Sequence, residues 1–140
     1  MKNTTKSTKS TKTPEVITLQ LGQRQYLGGK DEIGRTHIGY EPDMTKEQIY
    51  EAGQGLWNMN LNRAFNAERI LICENNGYIL LDLDLTGVRK VKVNDGKNEY
   101  KVCIYGEFNK NSRYEGRVAP INQSRNRVSY FSQQYIDEHM

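Results

Sequence analysis

The segment 45-TKEQIYEAGQGLWNMNLNRAFNAERILICENNG-77 decides the fold. Thr45 is suited to cap a helix and is followed three residues later by Gln48, the capping-box arrangement that satisfies free N–H groups at a helix start. The spacing predicts a helix from Thr45 to about Leu56. Its buried stripe recurs at i, i+3, i+4 and i+7, and consists of Ile49, Ala52, Gly53 and Leu56.

A second short helix and a hairpin follow within the same segment. Asn60 is suited to cap a helix that contains Leu61, Ala64 and Phe65. The periodicity then changes to that of a strand, and Asn76-Gly77 is the dipeptide that tight hairpin turns prefer. We therefore expect residues 69–74 and 78–85 to pair as a hairpin.

The remaining strand patterns lie on either side of this segment. Alternation predicts strands at 16–21 and 33–40 before it, a second hairpin from 88–93 and 99–105 after it, and a last strand at 128–131. Short strands around a helical pair predict an α+β fold, with residues 15–140 forming a single domain. The expected architecture is a strongly bent antiparallel sheet or a small barrel packed on the helices. By analogy, the element order suggests a pseudouridine-synthase-and-transglycosylase-like (PUA-like) β-barrel.

The first 14 residues differ in composition from the rest. Four lysines and no acid stand among residues 1–13, whereas the remainder carries 16 basic and 17 acidic residues. Because no apolar residue occurs between Met1 and Pro14, we expect residues 1–14 to form a disordered basic tail. Such a tail suits either loose, salt-sensitive contact with a phosphate backbone or a merely solubilising role.

Location and cofactors are constrained mainly by what the sequence lacks. It contains neither the apolar core of a signal peptide nor a membrane-spanning run, so we expect a cytoplasmic protein with no membrane association. Cys73 and Cys103 lie in apolar strand patterns, which predicts buried free thiols. Only His37 and His139 stand beside them as further ligands, at no recognised spacing, and we expect neither a metal nor a cofactor.

Several short motifs follow one another from Thr45 to Phe131. They are Ile49-Tyr50-Glu51-Ala52, Gly55, Trp57, Arg63-Ala64, Ala67-Glu68, Asn76-Gly77, Ile104, Gly106, Arg113-Tyr114, Gly116-Arg117, Asn126, Val128 and Tyr130. Together they resemble a family of small bacterial domains found alone or C-terminal to GIY-YIG nuclease domains. The chain departs from that family at Gln54, where arginine is common, and at Arg127, where proline is usual. Because the GIY-YIG motif itself is absent, the resemblance implies an accessory module of nucleic-acid systems.

Basic residues and aromatic rings concentrate near the C-terminus. Residues 109–134 contain five cations and the single acid Glu115, interleaved with Tyr114, Tyr130 and Phe131. Arginine suits phosphate oxygens and exposed rings stack on bases, so this segment predicts contact with nucleic acid. The candidate contacts are Lys110, Arg113, Arg117, Arg125, Arg127 and Tyr130, joined by Trp57 and Arg63 from the opening segment. The alternative is that the arginines pair with acids and that the tyrosines belong to the core.

Two further sequence patterns are relevant to function. Gly53 stands between Tyr50 and Trp57, an arrangement that either leaves a slot for a stacked base or packs in the core. Glu99 and Lys101 form an ExK triplet, and Asp82 precedes them on a predicted strand. Mg²⁺-dependent nucleases use such carboxylates to hold the metal and such a lysine near the attacked phosphate. Alternating acids are more often the solvent-facing side of a half-buried strand.

The preferred hypothesis is a non-enzymatic module that binds DNA or RNA through the C-terminal arginines and the lysine tail. A protein-interaction or inhibitor module of a phage or defence system is the alternative, with a nuclease or another defence protein as its partner. The second alternative is a Mg²⁺-dependent nuclease that uses Asp82, Glu99 and Lys101.

Overall fold

The computed structural model describes residues 14–93, 100–120 and 127–140. The predictions made for residues 1–13, Glu99, Arg125 and Asn126 concern residues outside these ranges. The described strands are β1 (Glu15–Gln20), β2 (Gln25–Tyr26), β3 (His37–Ile38), β4 (Arg69–Cys73), β5 (Ile79–Lys92), β6 (Tyr100–Phe108) and β7 (Val128–Ser132). The described helices are α1 (Lys46–Gly53), α2 (Leu61–Asn66) and α3 (Gln133–His139).

Five strands form one mostly antiparallel sheet in the order β6-β5-β4-β1-β7. The exception is the central pair, because β1 and β4 run parallel with Val16 opposite Arg69. The connection between them carries the β2-β3 pair, α1 and α2. Among the described strands β6 and β7 lie at opposite edges, so the sheet does not close into a barrel. The predicted α+β class is confirmed, whereas the predicted alternative of a small closed β-barrel is not confirmed.

Helix α1 begins as its sequence predicts and ends earlier. The side chain of Thr45 accepts from the Gln48 N–H, and the Gln48 side chain accepts from the Thr45 N–H. The helix stops at Gly53 rather than near Leu56 because the following residues pair with the edge of β6. Trp57 exchanges both backbone hydrogen bonds with Val102, at 3.0 and 2.9 Å.

The helices cover the two faces of the sheet. On the first face, Ile17 and Ile70 pack in one buried cluster with Ile49 of α1 and Ala64 of α2. On the second face, neighbouring strand residues pack in a separate cluster with Ile136 of α3, a helix that the sequence patterns did not predict. Both cysteines are buried and free, as predicted.

Strand β5 joins two segments that were expected to be separate strands. It runs for 14 residues, with an irregularity in its pairing to β6 between Leu85 and Gly87. Its first half pairs with β4, and its second half extends past the start of β4 and pairs with β6 alone. We call residues 88–93 and 100–105 the distal hairpin. The strand predicted at 33–40 is shorter: His37–Ile38 forms the strand β3, and Tyr40 adds a single bridge to Gln23.

Candidate nucleic-acid interface

The carboxyl ends of β1 and β4 lie at the same end of the sheet because the two strands are parallel. The turn from Glu74 to Gly77 leaves the sheet there and leads into β5. A returning segment pairs with the start of β5: the Ile79 N–H donates to the Arg117 carbonyl at 2.8 Å. This pairing places Arg117 beside the turn.

Arg127 reaches the same turn from the other side. It lies next to the start of β7, and its carbonyl accepts from the Gln20 N–H at 2.9 Å. Its Nη1 donates to the Asn75 side-chain oxygen at 3.0 Å. The guanidinium lies against Gly22, where a Cβ atom would meet both of its terminal nitrogens at 3.4 Å. Arg127 therefore spans the carboxyl ends of β1 and β4.

We call Asn75, Tyr78, Arg117, Val118 and Arg127 the carboxyl-end surface. Arg117 is exposed, and no described side chain bonds to its guanidinium. Tyr78 is 39% exposed and Val118 is 61% exposed. Both a cation and an aromatic ring are thus open to solvent at this end of the sheet.

The acid Glu74 belongs to the same neighbourhood. Burial raises the pKa of Tyr40, and the negative charge of Glu74 raises that pKa further. A bound phosphate backbone would have to pass on the side of Arg117 and Arg127 to avoid this carboxylate.

The structure places Arg113 in a different environment from Arg117 and Arg127. Its Nη2 pairs with the Asp137 carboxylate and contacts the Tyr114 hydroxyl at 3.0 Å. Tyr114 is buried, and its hydroxyl donates to Asp137 at 2.6 Å. Arg113 therefore ties the 109–117 segment to α3, and its charge is balanced by a neighbour.

Arg63 and Tyr130 meet at the opposite end of β1. Arg63 donates to both carboxylate oxygens of Glu15, at 3.1 and 2.9 Å. Its guanidinium carbon lies 3.9 Å from the centroid of the Tyr130 ring. Burial raises the pKa of the Tyr130 hydroxyl, for which the described residues supply no hydrogen-bond partner. Arg63 is thus held flat on a ring and neutralised by an acid.

Trp57 and Lys110 lie apart from both arginine groups. The indole N–H of Trp57 donates to the Gly53 carbonyl at 2.8 Å. The side of Gly53 that a stacked base would need is occupied, because a Cβ atom there would lie 2.4 Å from Ile72 Cδ1. The slot for a stacked base that was considered between Tyr50 and Trp57 is therefore filled by the core. Lys110 is exposed in the turn after β6, with no described carboxylate bonded to it.

Of the residues of the nuclease hypothesis, Glu99 lies outside the described residues, and Asp82 and Lys101 are not brought together. Asp82 is fully buried and bonded to Arg69, whereas Lys101 lies opposite Val91, nine residues further along β5. That separation is about 30 Å of strand at roughly 3.3 Å per residue. No group of three or more His, Cys, Asp or Glu side chains in the described part of the chain is placed to hold a metal ion.

The sequence patterns missed a second group of cations, in the distal hairpin. Arg89, Lys90 and Lys92 are exposed on β5, near Tyr100 and Tyr105 of β6. Their signal was present in the sequence as cations between Val88, Val91 and Val93. The valine alternation predicts a strand, and the sequence analysis assigns no role to the cations between the valines.

No helix among the described residues is long and apolar enough to cross a membrane. Comparison of the chain with protein-family models, with curated proteins and with solved structures finds no match.

Proposed function

We propose that this chain is a non-enzymatic nucleic-acid-binding module whose phosphate contacts come from Arg117 and Arg127. One observation carries the proposal. Two exposed arginines flank the turn at the carboxyl ends of the parallel strands, and neither has a carboxylate partner among the described residues. Ligands of open sheets with parallel strands commonly bind at these strand ends.

The chemistry of the carboxyl-end surface suits a phosphate backbone. A guanidinium presents several N–H donors in a rigid plane, which matches the oxygens of a phosphate. Asn75 occupies one donor of Arg127 and orients the group, leaving other donors available. The exposed ring of Tyr78 adds a surface on which a base can stack.

The lysine tail precedes β1 in the sequence and adds positive charge to the chain. Lys2, Lys6, Lys9 and Lys12 precede Pro14, whereas the rest of the chain is close to neutral. We therefore propose that the tail increases affinity without selecting a sequence, as counterion release by lysines does. The resemblance to nuclease-associated domains supports an accessory role beside a nuclease.

The experiment measures fluorescence anisotropy of labelled single-stranded DNA, duplex DNA and RNA over a salt series. Replacing both Arg117 and Arg127 with Gln should weaken binding at least tenfold and lower the slope of log K against log salt by about 1.4 for single strands. Replacing both with Lys should retain most of the affinity. Replacing Arg63 and Arg113 with Gln is the matched control, because it removes two cations that are already paired with acids.

Either of two results would overturn the proposal, and a further variant tests the tail. Unchanged affinity after the Arg117/Arg127 change, or no binding by the unaltered chain, would overturn the proposal. A variant with all four tail lysines changed to Gln tests the tail separately: if it alone loses binding, the folded surface is not the contact.

A protein-interaction role is favoured by one specific observation. Val118 and Tyr78 expose apolar area beside Arg117, a combination of apolar, aromatic and arginine side chains that recurs at protein interfaces. In that case the partner would be a nuclease or another protein of a defence system. Val118→Asp should then abolish a stoichiometric complex in size-exclusion chromatography, while nucleic-acid affinity stays negligible throughout.

A further inference from the structure

The distal hairpin carries cations and rings on both of its faces. Lys90 lies opposite Val102, Lys92 lies opposite Tyr100, and the Lys90 ammonium is 4.7 Å from the Tyr100 ring centroid. On the other face, Arg89 donates to the Tyr105 hydroxyl at 2.9 Å. The cations are therefore held against rings rather than against acids.

The charge of this hairpin is not cancelled locally. Residues 88–93 and 100–105 contain four cations and no acid. In the described part of the chain, neither Lys90 nor Lys92 has a carboxylate within ion-pair distance. In a body that is close to neutral overall, this is a concentrated positive surface.

A structural role for the lysines must be weighed against binding. Past Asp84, β5 has no β4 residue beside it, so one edge of the distal part of β5 lacks a partner strand among the described residues. Lysines on such an edge commonly prevent two sheets from pairing. That role predicts self-association when the lysines are removed, and it does not require an exposed aromatic ring.

Tyr100 is the feature that an edge-protecting role leaves unexplained. The ring is 46% exposed and lies directly across from Lys92. Successive side chains on one face of a strand are roughly 6.6 Å apart, so Lys90 and Lys92 can meet two neighbouring phosphates of an extended strand. A ring beside the Lys90 ammonium and opposite Lys92 in the strand register supplies the stacking surface for the base that joins those phosphates.

We propose that the distal hairpin binds single-stranded nucleic acid, with Lys90 and Lys92 on phosphates and Tyr100 stacked on a base. Bases inside a duplex are covered by their neighbours, so the ring selects single strands. The proposal rests on the proposed function and adds a second contact to it.

The two contacts lie far apart on the molecule. Ile79, which bonds to Arg117, and Lys90 are separated by 11 residues of β5. At roughly 3.3 Å per residue this is about 36 Å along the strand. One oligonucleotide can occupy both contacts only if it is long enough to reach between them, and the two contacts then reinforce each other.

The experiment uses the full chain and fluorescein-labelled oligothymidylates of about 5 and about 25 nucleotides, lengths that bracket common single-strand site sizes. Lys90→Gln with Lys92→Gln should weaken binding of the long oligonucleotide about tenfold and lower the salt slope by about 1.4. Tyr100→Leu should weaken it to a similar extent, since one stacked base is lost. Lys90→Arg with Lys92→Arg, and Tyr100→Phe, are the matched variants and should stay within about twofold of the unaltered chain.

The outcomes separate this inference from the proposed function. If the Arg117/Arg127 variant loses binding and the hairpin variants do not, the inference is overturned and the proposed function stands. If the hairpin variants lose binding and the arginine variant does not, the inference stands and the carboxyl-end surface is not the contact.

Three further results would overturn the inference. One is self-association of the lysine variant in size-exclusion chromatography with unchanged affinity, which would make the lysines edge protectors. Another is equal affinity for a duplex, or for vesicles containing an anionic lipid, which would remove the role of base stacking. The third is equal loss of binding in Tyr100→Phe and Tyr100→Leu.

Discussion

The buried carboxylate of Asp82 forms an ion pair with Arg69, whose Nη1 lies 2.5 Å from Asp82 Oδ1. The second oxygen of Asp82 accepts from Ser112 Oγ at 2.5 Å and from Asn109 Nδ2 at 3.3 Å. Its backbone N–H donates to Glu115 at 3.0 Å. An acid that the sequence offered as a metal ligand is therefore the centre of a network that attaches the 109–115 segment to the sheet.

Asp82→Asn should lower the free energy of unfolding by about 3 kcal/mol or more, because it removes the buried carboxylate that pairs with Arg69 and leaves only the exposed Asp84 beside that guanidinium. Urea unfolding followed by circular dichroism measures this. Asp84→Asn is the control: that carboxylate is 57% exposed and lies 3.3 Å from the same arginine, so its loss should cost less than about 1 kcal/mol. Equal losses in the two variants would contradict a specific role for Asp82.

Mg²⁺ should leave both the melting temperature and a supercoiled plasmid unchanged, because Asp82 is bonded within the protein and Lys101 lies nine residues away along the hairpin. A thermal melt and an agarose-gel assay, each with and without Mg²⁺, test this. Plasmid cleavage that is lost on Lys101→Ala or on chelation would establish the nuclease hypothesis instead.

Arg35→Ala should expose Cys103 to alkylation while Cys73 stays protected. Arg35 is 5% exposed, with Nε 2.8 Å from Asp31 Oδ2 and Nη1 2.9 Å from the Ala52 carbonyl, so it attaches the 31–35 turn to the end of α1. Ile33 of that turn packs over the cluster that contains Cys103. Loss of the arginine should therefore open this cluster locally.

The measurement is the iodoacetamide labelling rate of each thiol, read by mass spectrometry. Burial raises the pKa of Cys73 to about 12 and raises the pKa of Cys103 as well, so both should label slowly in the unaltered chain. Arg24→Ala, which removes an exposed ion pair with Glu41, is the control and should change neither rate. Faster labelling of both cysteines together would indicate global unfolding rather than local opening.

Tyr114→Phe should reduce stability at neutral pH and make stability less sensitive to acid. The Tyr114 hydroxyl is the main cause that holds the pKa of Asp137 below its usual value, and the hydrogen bond from Gln133 adds to the effect. A lowered pKa means that the folded state favours the ionised carboxylate. The contribution of Asp137 to stability is therefore present above its unfolded pKa of about 3.9 and is lost as the pH falls through its lower folded-state pKa.

Thermal melts of the unaltered chain and of the Tyr114→Phe variant, at neutral pH and below about pH 4, test this linkage. The two melting temperatures should differ most at neutral pH and converge in acid. Tyr135→Phe is the control on the same helix, since the Tyr135 hydroxyl has no hydrogen-bond partner in the structure. A difference that persists unchanged in acid would show that Tyr114 acts by packing alone.

The candidate site was only partly predictable from the sequence. Of the four predicted arginine contacts that the structure describes, Arg117 and Arg127 are exposed, whereas Arg113 and Arg63 belong to ion pairs with Asp137 and Glu15. Arg63 and Glu15 are 48 residues apart, and no local pattern reports such a pairing. A binding role for the cations of the distal hairpin was not predicted, because a cation on a strand has the same sequence pattern whether it contacts solvent or a ligand.

By itself the sequence determined the caps of α1 and α2, the turn between β4 and β5, and the two hairpin pairings, because capping and turn chemistry act between residues a few positions apart. Only the tertiary structure decided that β1 and β4 run parallel, that α1 stops at Gly53 to pair with β6, and that Asp82 is buried. Those outcomes depend on which surfaces, far apart in the sequence, pack against one another and exclude water. The same long-range packing decides which arginines find an acid and which, like Arg117, remain open to a partner.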